Sequence, residues 1–155
     1  MRLSKDVFMA LAAVAWADGE VSQEESEGVL HAARECGLEG ADLDAVKQAL
    51  RTKAELKTVR NLVLSPRERV YVYAIATWLV RIDGVVMPEE RMMLAQLGDH
   101  LKLADGDRTR ASAASFSIGE LAGPDKPSRY DVLGLAVKLQ SVMAPTLPPP
   151  MSGEG

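Results

Sequence analysis

One eight-residue pattern occurs twice in this 155-residue chain and constrains its architecture more than any other feature. Asp18-Gly-Glu-Val-Ser-Gln-Glu-Glu25 returns 65 residues later as Asp83-Gly-Val-Val-Met-Pro-Glu-Glu90, with five of eight positions identical. Each copy follows an apolar run and precedes an amphipathic one. The chain therefore reads as two halves, each a helix, an Asp-Gly turn and a second helix. Repeated punctuation of this kind is what a duplicated helical unit leaves in a sequence.

Composition fits that reading. The apolar fraction is 47% and aromatics are only 5%, a mix rich in Ala, Leu and Val that suits close-packed helices better than a sheet. The expected fold is all-α, about seven helices in a compact bundle, with two pseudo-symmetric halves around a buried central helix. Residues 1–144 are expected to form a single domain, and the Pro- and Gly-rich stretch 145–155 a disordered tail.

Helix limits follow from caps and stops. Ser4 caps a first helix to about Ala17, with Gly19 closing it. Ser22 and Glu25 form a capping box for the second helix, whose stripe is Val29, Leu30, Ala33 and Cys36 and which Gly37 stops. Asp42 or Asp44 caps a third helix through Val46, Ala49 and Leu50. Ala54 to Leu64 is expected to be helical as well. Ser65-Pro66-Arg67-Glu68 is a strong start signal for the central helix, apolar on nearly every side to about Ile82 and hence buried all round. After the second Asp-Gly, Pro88 and Glu90 start a helix with Met93, Leu97 and Leu101 on its buried stripe. Leu103 then matches Leu38, and Asp107 matches Asp42. One short helix is expected between Asp107 and Ala122, broken by Gly123-Pro124, and Ser128 caps a last one through Leu135, Leu139 and Met143.

The opening residues resemble a signal peptide: Arg2 and Lys5, an apolar run, then Ala15-Trp16-Ala17. Asp6 opposes this, as does the equally apolar run Val70 to Val80 in the matching place of the second half. The segment is read as a core helix and the protein as cytoplasmic. Neither run reaches the ~20 residues of a membrane-spanning helix. A net charge of −4 argues against a nucleic-acid binder. Charge is nonetheless segregated: nine carboxylates face one Arg34 between Asp18 and Asp44, and six basic residues face Glu55 and Glu68 between Arg51 and Arg69. The lone Cys36 reads as a small buried apolar residue.

Set against a calcium-binding EF-hand loop, Asp18, Gly19, Val21 and Glu25 fall in register from its fifth position onward, as do Asp83, Gly84, Val86 and Glu90. The first two ligand positions would be Val14 and Trp16, or Leu79 and Arg81, none of which can ligate calcium. What survives is a half-loop: one carboxylate at the turn and another seven residues on, in the first turn of a helix whose positive end favours it. Two half-loops brought together would gather Asp18, Glu25, Asp83 and Glu90. Four carboxylates in one site require a cation, and hard divalent ions take such ligands. Helix punctuation explains much of the same pattern, since Gly19 and Gly84 serve as C-caps and Glu25 as part of a capping box. No catalytic signature stands out. His31 and His100 do not correspond between the halves, and Met92-Met93 reads as packing.

Ala15-Trp16-Ala17-Asp18-Gly19-Glu20-Val21-Ser22-Gln23-Glu24-Glu25, repeated more loosely over Arg81 to Glu90, resembles the TerB-like family associated with tellurite resistance. The resemblance spans roughly residues 4–143. It implies an all-helical fold of two pseudo-symmetric halves and a metal ion held by Asp18, Glu25, Asp83 and Glu90; the oxygen ligands point to Ca²⁺ or Mg²⁺ as that ion. It further implies a role in tellurite or stress response among other proteins of a membrane-associated or phage-defence assembly; the want of a catalytic signature makes the expected role non-enzymatic, and the short apolar runs make direct membrane insertion unexpected. Glu20 has Val85 as its counterpart in the second copy, and Arg81 stands beside Asp83. The alternative reading is a protein-protein interaction module that uses the acidic face and needs no metal.

Overall fold

The helix that opens at Ser65-Pro66 organises the computed structural model, which describes residues 3–17, 21–81, 88–120 and 132–143. The elements are α1 (Lys5–Trp16), α2 (Gln23–Glu35), α3 (Gly40–Arg51), a 3₁₀ helix (Leu56–Asn61), α4 (Pro66–Arg81), α5 (Pro88–His100), α6 (Asp105–Gly119) and α7 (Val132–Met143). The fold is all-α, with no strand among the described residues.

The capping box that starts α4 forms in both directions. Glu68 N–H donates to Ser65 Oγ at 3.1 Å, and Ser65 N–H donates to Glu68 Oε1 at 3.0 Å. The second oxygen of Glu68 accepts from Ser4 N–H at 3.1 Å. One carboxylate thus ties the start of α1 to the start of α4. Ser4 occupies the expected N-cap position of α1 but makes no side-chain cap bond. Nearby, Asp6 accepts from Val63 N–H at 2.7 Å, which fixes the chain entering α4.

Every residue from Val70 to Trp78 is buried, so α4 is the central helix its sequence announced. It packs on α1, α5, α6 and α7. Each large side chain taken fully from water, such as Tyr71 or Ile75, contributes about 1.5–3 kcal/mol. The buried Thr77 hydroxyl stays satisfied by donating to Tyr73 C=O at 2.8 Å. The apolar run of α1 is equally interior, with Val7, Phe8, Ala10 and Ala12 fully buried, and α1 lies against α2, α3, the 3₁₀ helix and α4. Among the described residues no helix is long and apolar enough to cross a membrane.

The 65-residue repeat reappears in the backbone. α2 spans 23–35 and α5 spans 88–100; α3 begins at 40 and α6 at 105. Both α2 and α5 end in the same Schellman turn. Leu38 N–H donates to Ala33 C=O and Gly37 N–H to Arg34 C=O; 65 residues on, Leu103 N–H donates to Gly98 C=O and Lys102 N–H to Asp99 C=O. The left-handed position is Gly37 (φ 93°) in the first copy and Lys102 (φ 58°) in the second. In the second copy Arg108 lies over Gly98, where an added Cβ would come within 2.6 Å of the guanidinium carbon. From there Arg108 Nε donates to Leu103 C=O at 3.0 Å and Nη2 to Asp99 Oδ1 at 2.8 Å.

Several sequence limits shift. The third helix starts at Gly40 with Glu39 as its N-cap residue, so Asp42 lies inside the first turn and Asp44 beyond the start. A glycine with φ 59° at position 40 turns the chain directly into the helix. Residues 56–61 form a 3₁₀ helix where a longer helix was expected; Val59 is buried, but Val63 is 82% exposed. α6 is a full helix of 15 residues rather than a short one. Its small side chains, Ala111, Ala114 and Ser115, are buried and allow close approach to α4. Ala17, in helical conformation, is the C-cap of α1. Gly19, Gly84, Gly123-Pro124, Ser128 and the expected tail lie outside the described residues.

Candidate functional site

The four carboxylates singled out by the repeat are placed unequally. Asp18 and Asp83 lie outside the described residues. Glu25 is the third residue of α2, where Ser22 C=O accepts the first intrahelical bond from Ser26 N–H at 3.0 Å, as an N-cap residue does. The side chain of Glu25 is not among those described. Glu90 is the matching third residue of α5, half-buried beside Glu89 in the first turn. Both glutamates thus occupy the first helical turn, beside the unpaired N–H groups of the helix start. All-oxygen donors of this type fit a hard divalent cation. Among the described residues, no three or more His, Cys, Asp or Glu side chains gather as a metal site.

The described flanks of the two turns do converge. Ala17, the residue before Asp18, and Glu89, beside Glu90, line one cleft of about 350 Å³ together with Trp16, Leu56, Met92 and Met93. The cleft exists because α1 ends against α3: Trp16 Nε1–H donates to Ala49 C=O at 2.9 Å, fixing the indole at the end of its helix. The 3₁₀ helix packs on both α1 and α5 and forms the far wall.

A second cleft, about 420 Å³, adjoins the first. Glu55, Leu56 and Gln96 wall both; Arg60, Asp99 and His100 close its other end. Here Arg60 Nε–H donates to His100 Nδ1 at 2.7 Å. That bond requires a ring without a proton on Nδ1. Burial, then the Arg60 guanidinium, holds the imidazole below its ordinary pKa, while Asp99 acts in the opposite sense. Glu55 pairs with Lys57 at 3.0 Å, both well exposed.

Reasoning from the sequence missed these cleft residues. Met93 is half-buried against the core, but Met92 is 63% exposed and faces the cleft. A stripe at helical spacing, Glu89, Met92, Met93, Gln96, Asp99 and His100, was the available signal; its partner wall comes from a distant stretch. Cys36 is 4% exposed, and its burial pushes the thiol pKa up, as suits an inert core residue. On the surface, Glu24, Glu27, Glu35, Glu39, Asp42 and Asp44 are all exposed, as are Arg51, Lys53, Lys57 and Arg60.

Residues 2–112 match the family described as Protein of unknown function (DUF533). The chain belongs to the DUF533 family. The DUF533 match begins just before α1 and ends inside α6, so it takes in both Asp-Gly elements, both Schellman turns and the whole cleft. No curated protein and no solved structure matches the chain.

Proposed function

We propose that this DUF533 chain is a non-enzymatic, TerB-like protein of the tellurite or stress response whose two acidic turns bind one divalent cation, Ca²⁺ or Mg²⁺. The observation that carries the proposal is convergence: Ala17 and Glu89, which flank the two repeated turns, line the same cleft. In this reading the two turns meet at that cleft, where Asp18, Glu25, Asp83 and Glu90 would act together. Gathered carboxylates would repel without a cation, and the ion would be their neutralising partner. Its role here is to fix the two halves relative to each other. The chain would work in the cytoplasm beside other proteins of a stress-response or membrane-associated assembly.

Calorimetric titration of metal-stripped protein tests the reading. Ca²⁺ or Mg²⁺ is expected to bind at one site and to lose that binding in the Asp18→Asn, Asp83→Asn double variant. Absence of any binding tighter than about 1 mM for Ca²⁺, Mg²⁺, Mn²⁺ or Zn²⁺ refutes it.

A second reading is favoured by the six exposed carboxylates of α2, α3 and their connection. In it this face docks a basic protein partner without metal. Reversing Glu20, Glu24 and Glu25 to Lys should abolish partner recovery in a pull-down; unchanged recovery rejects this version.

A further inference from the structure

We propose that the groove between the 3₁₀ helix and α5 docks a linear peptide carrying one large apolar side chain and, about four residues on, a carboxylate. The two clefts form one groove because Glu55, Leu56 and Gln96 wall both. The end near Ala17 offers the apolar side chains of Trp16, Leu56, Met92 and Met93, with Lys53 and Glu89 beside them. Its indole is held by the bond to Ala49 C=O. Met92, largely exposed, supplies a flexible thioether that can repack around a guest side chain.

The opposite end sets Lys57 and Arg60 against Glu55 and Asp99. Its two carboxylates are engaged within the fold, Glu55 with Lys57 at 3.0 Å and Asp99 with Arg108 at 2.8 Å. Arg60 donates to the neutral His100 ring and pairs with no carboxylate among the described residues. An exposed guanidinium with uncompensated charge on a cleft wall is a seat for a carboxylate, which it can grip with two parallel hydrogen bonds.

Spacing sets the motif. Met92 and His100 are eight residues apart on α5, about 12 Å of helix. An extended peptide covers that distance in about four residues at ~3.3 Å each. The clefts, about 350 and 420 Å³, each take one large side chain or a short stretch of peptide. Contact this small corresponds to weak, micromolar-class binding. The groove sets Lys53, Lys57 and Arg60 against Glu55, Glu89 and Asp99, unlike the one-signed acidic α2–α3 surface, so its guest differs from the basic partner considered above.

Fluorescence anisotropy on the full chain tests the proposal, using a fluorescein-labelled peptide Gly-Ser-Trp-Ser-Gly-Ser-Asp-Glu-Ser-Gly. One control peptide carries Ala for the Trp and another Lys-Lys for Asp-Glu. EDTA is present throughout, which separates the outcome from any cation at the Asp-Gly turns. The first peptide should bind saturably, with each control weaker by at least about tenfold, the loss of one apolar anchor or one charge-assisted contact. Arg60→Glu and Met92→Asp should each weaken the first peptide by a similar factor, and Arg60→Glu should favour the Lys-Lys peptide. Both side chains are exposed, and an unchanged urea midpoint verifies that the variants fold. No saturable binding up to about 1 mM overturns the proposal. Equal binding of the Trp-free peptide also overturns it, by reducing the groove to an anion seat, as does wild-type affinity in both variants.

Discussion

Removing the carboxylate of Glu68 should loosen two helix starts at once. Its Oε1 accepts from Ser65 N–H at 3.0 Å and its Oε2 from Ser4 N–H at 3.1 Å. In Glu68→Ala both donors lose their protein acceptor. The capping-box half is worth about 1 kcal/mol, within the range measured for helix N-caps. The bond to Ser4 is charge-assisted but exposed, so water replaces much of it, and about 0.5–1 kcal/mol remains. The expected loss is therefore roughly 2 kcal/mol, or about 4–8 °C in Tm for a chain of this size. Glu68→Gln keeps an acceptor oxygen for one of the two donors and should lose about half as much. Urea unfolding followed by circular dichroism measures each value, with Glu24→Ala as an exposed control expected within about 0.5 kcal/mol of wild type. A Glu68→Ala loss no larger than the control's would refute the claim that one carboxylate couples the start of α1 to the start of α4.

Two further outcomes follow from the repeated turn and the groove. Lys102→Gly should stabilise the protein by about 0.5–1 kcal/mol and Gly37→Ala should destabilise it by about 1 kcal/mol, because both positions are left-handed and only glycine adopts that conformation without strain; urea midpoints that move the same way in both variants would contradict the equivalence of the turns. Burial and Arg60 hold the His100 ring below its ordinary pKa, so the unfolded chain takes up its proton first as the pH falls below about 6.5. The stabilisation from the neutral ring is complete above that pH and is lost as the pH falls through the folded value. The urea midpoint should drop over that window less steeply in His100→Gln; an unchanged slope would show that the Arg60–His100 bond carries no linkage.

The parts of the fold that were legible in the sequence rest on local chemistry. The Ser65-Pro66-Arg67-Glu68 box, the all-round apolar run after it and the stop at Gly37 each have a physical meaning within a few residues of chain, and each appears as expected. Lys102 was not legible as a turn residue, because a lysine in left-handed conformation is held there by the Schellman bonds around it rather than by its own preference. Ala54 to Leu64 reads as helical, yet residues 56–61 form a 3₁₀ helix, whose three-residue turn satisfies much of the same short pattern, and Val63 points to solvent. The full length of the Ala- and Ser-rich α6 was not legible because small side chains give little contrast between faces, even where Ala111 and Ala114 are packed on a neighbour. The groove was hidden for another reason. Its walls come from the end of α1, from residues 53–60 and from α5, and only tertiary packing sets Arg60 beside His100. Of the four candidate ligands, the helix positions of Glu25 and Glu90 followed from their start signals, whereas Asp18 and Asp83 lie outside the described residues.

Convergence of the two Asp-Gly turns on one cation is tested most directly by anomalous diffraction from crystals grown with Mn²⁺, an oxygen-seeking ion with a strong anomalous signal. One peak is expected at coordination distance, about 2.0–2.6 Å, from carboxylate oxygens of both Asp18 and Asp83, with Glu25 or Glu90 completing the shell. A map at saturating Mn²⁺ with no peak between the turns, or with the two aspartates too far apart to share an ion, would contradict it.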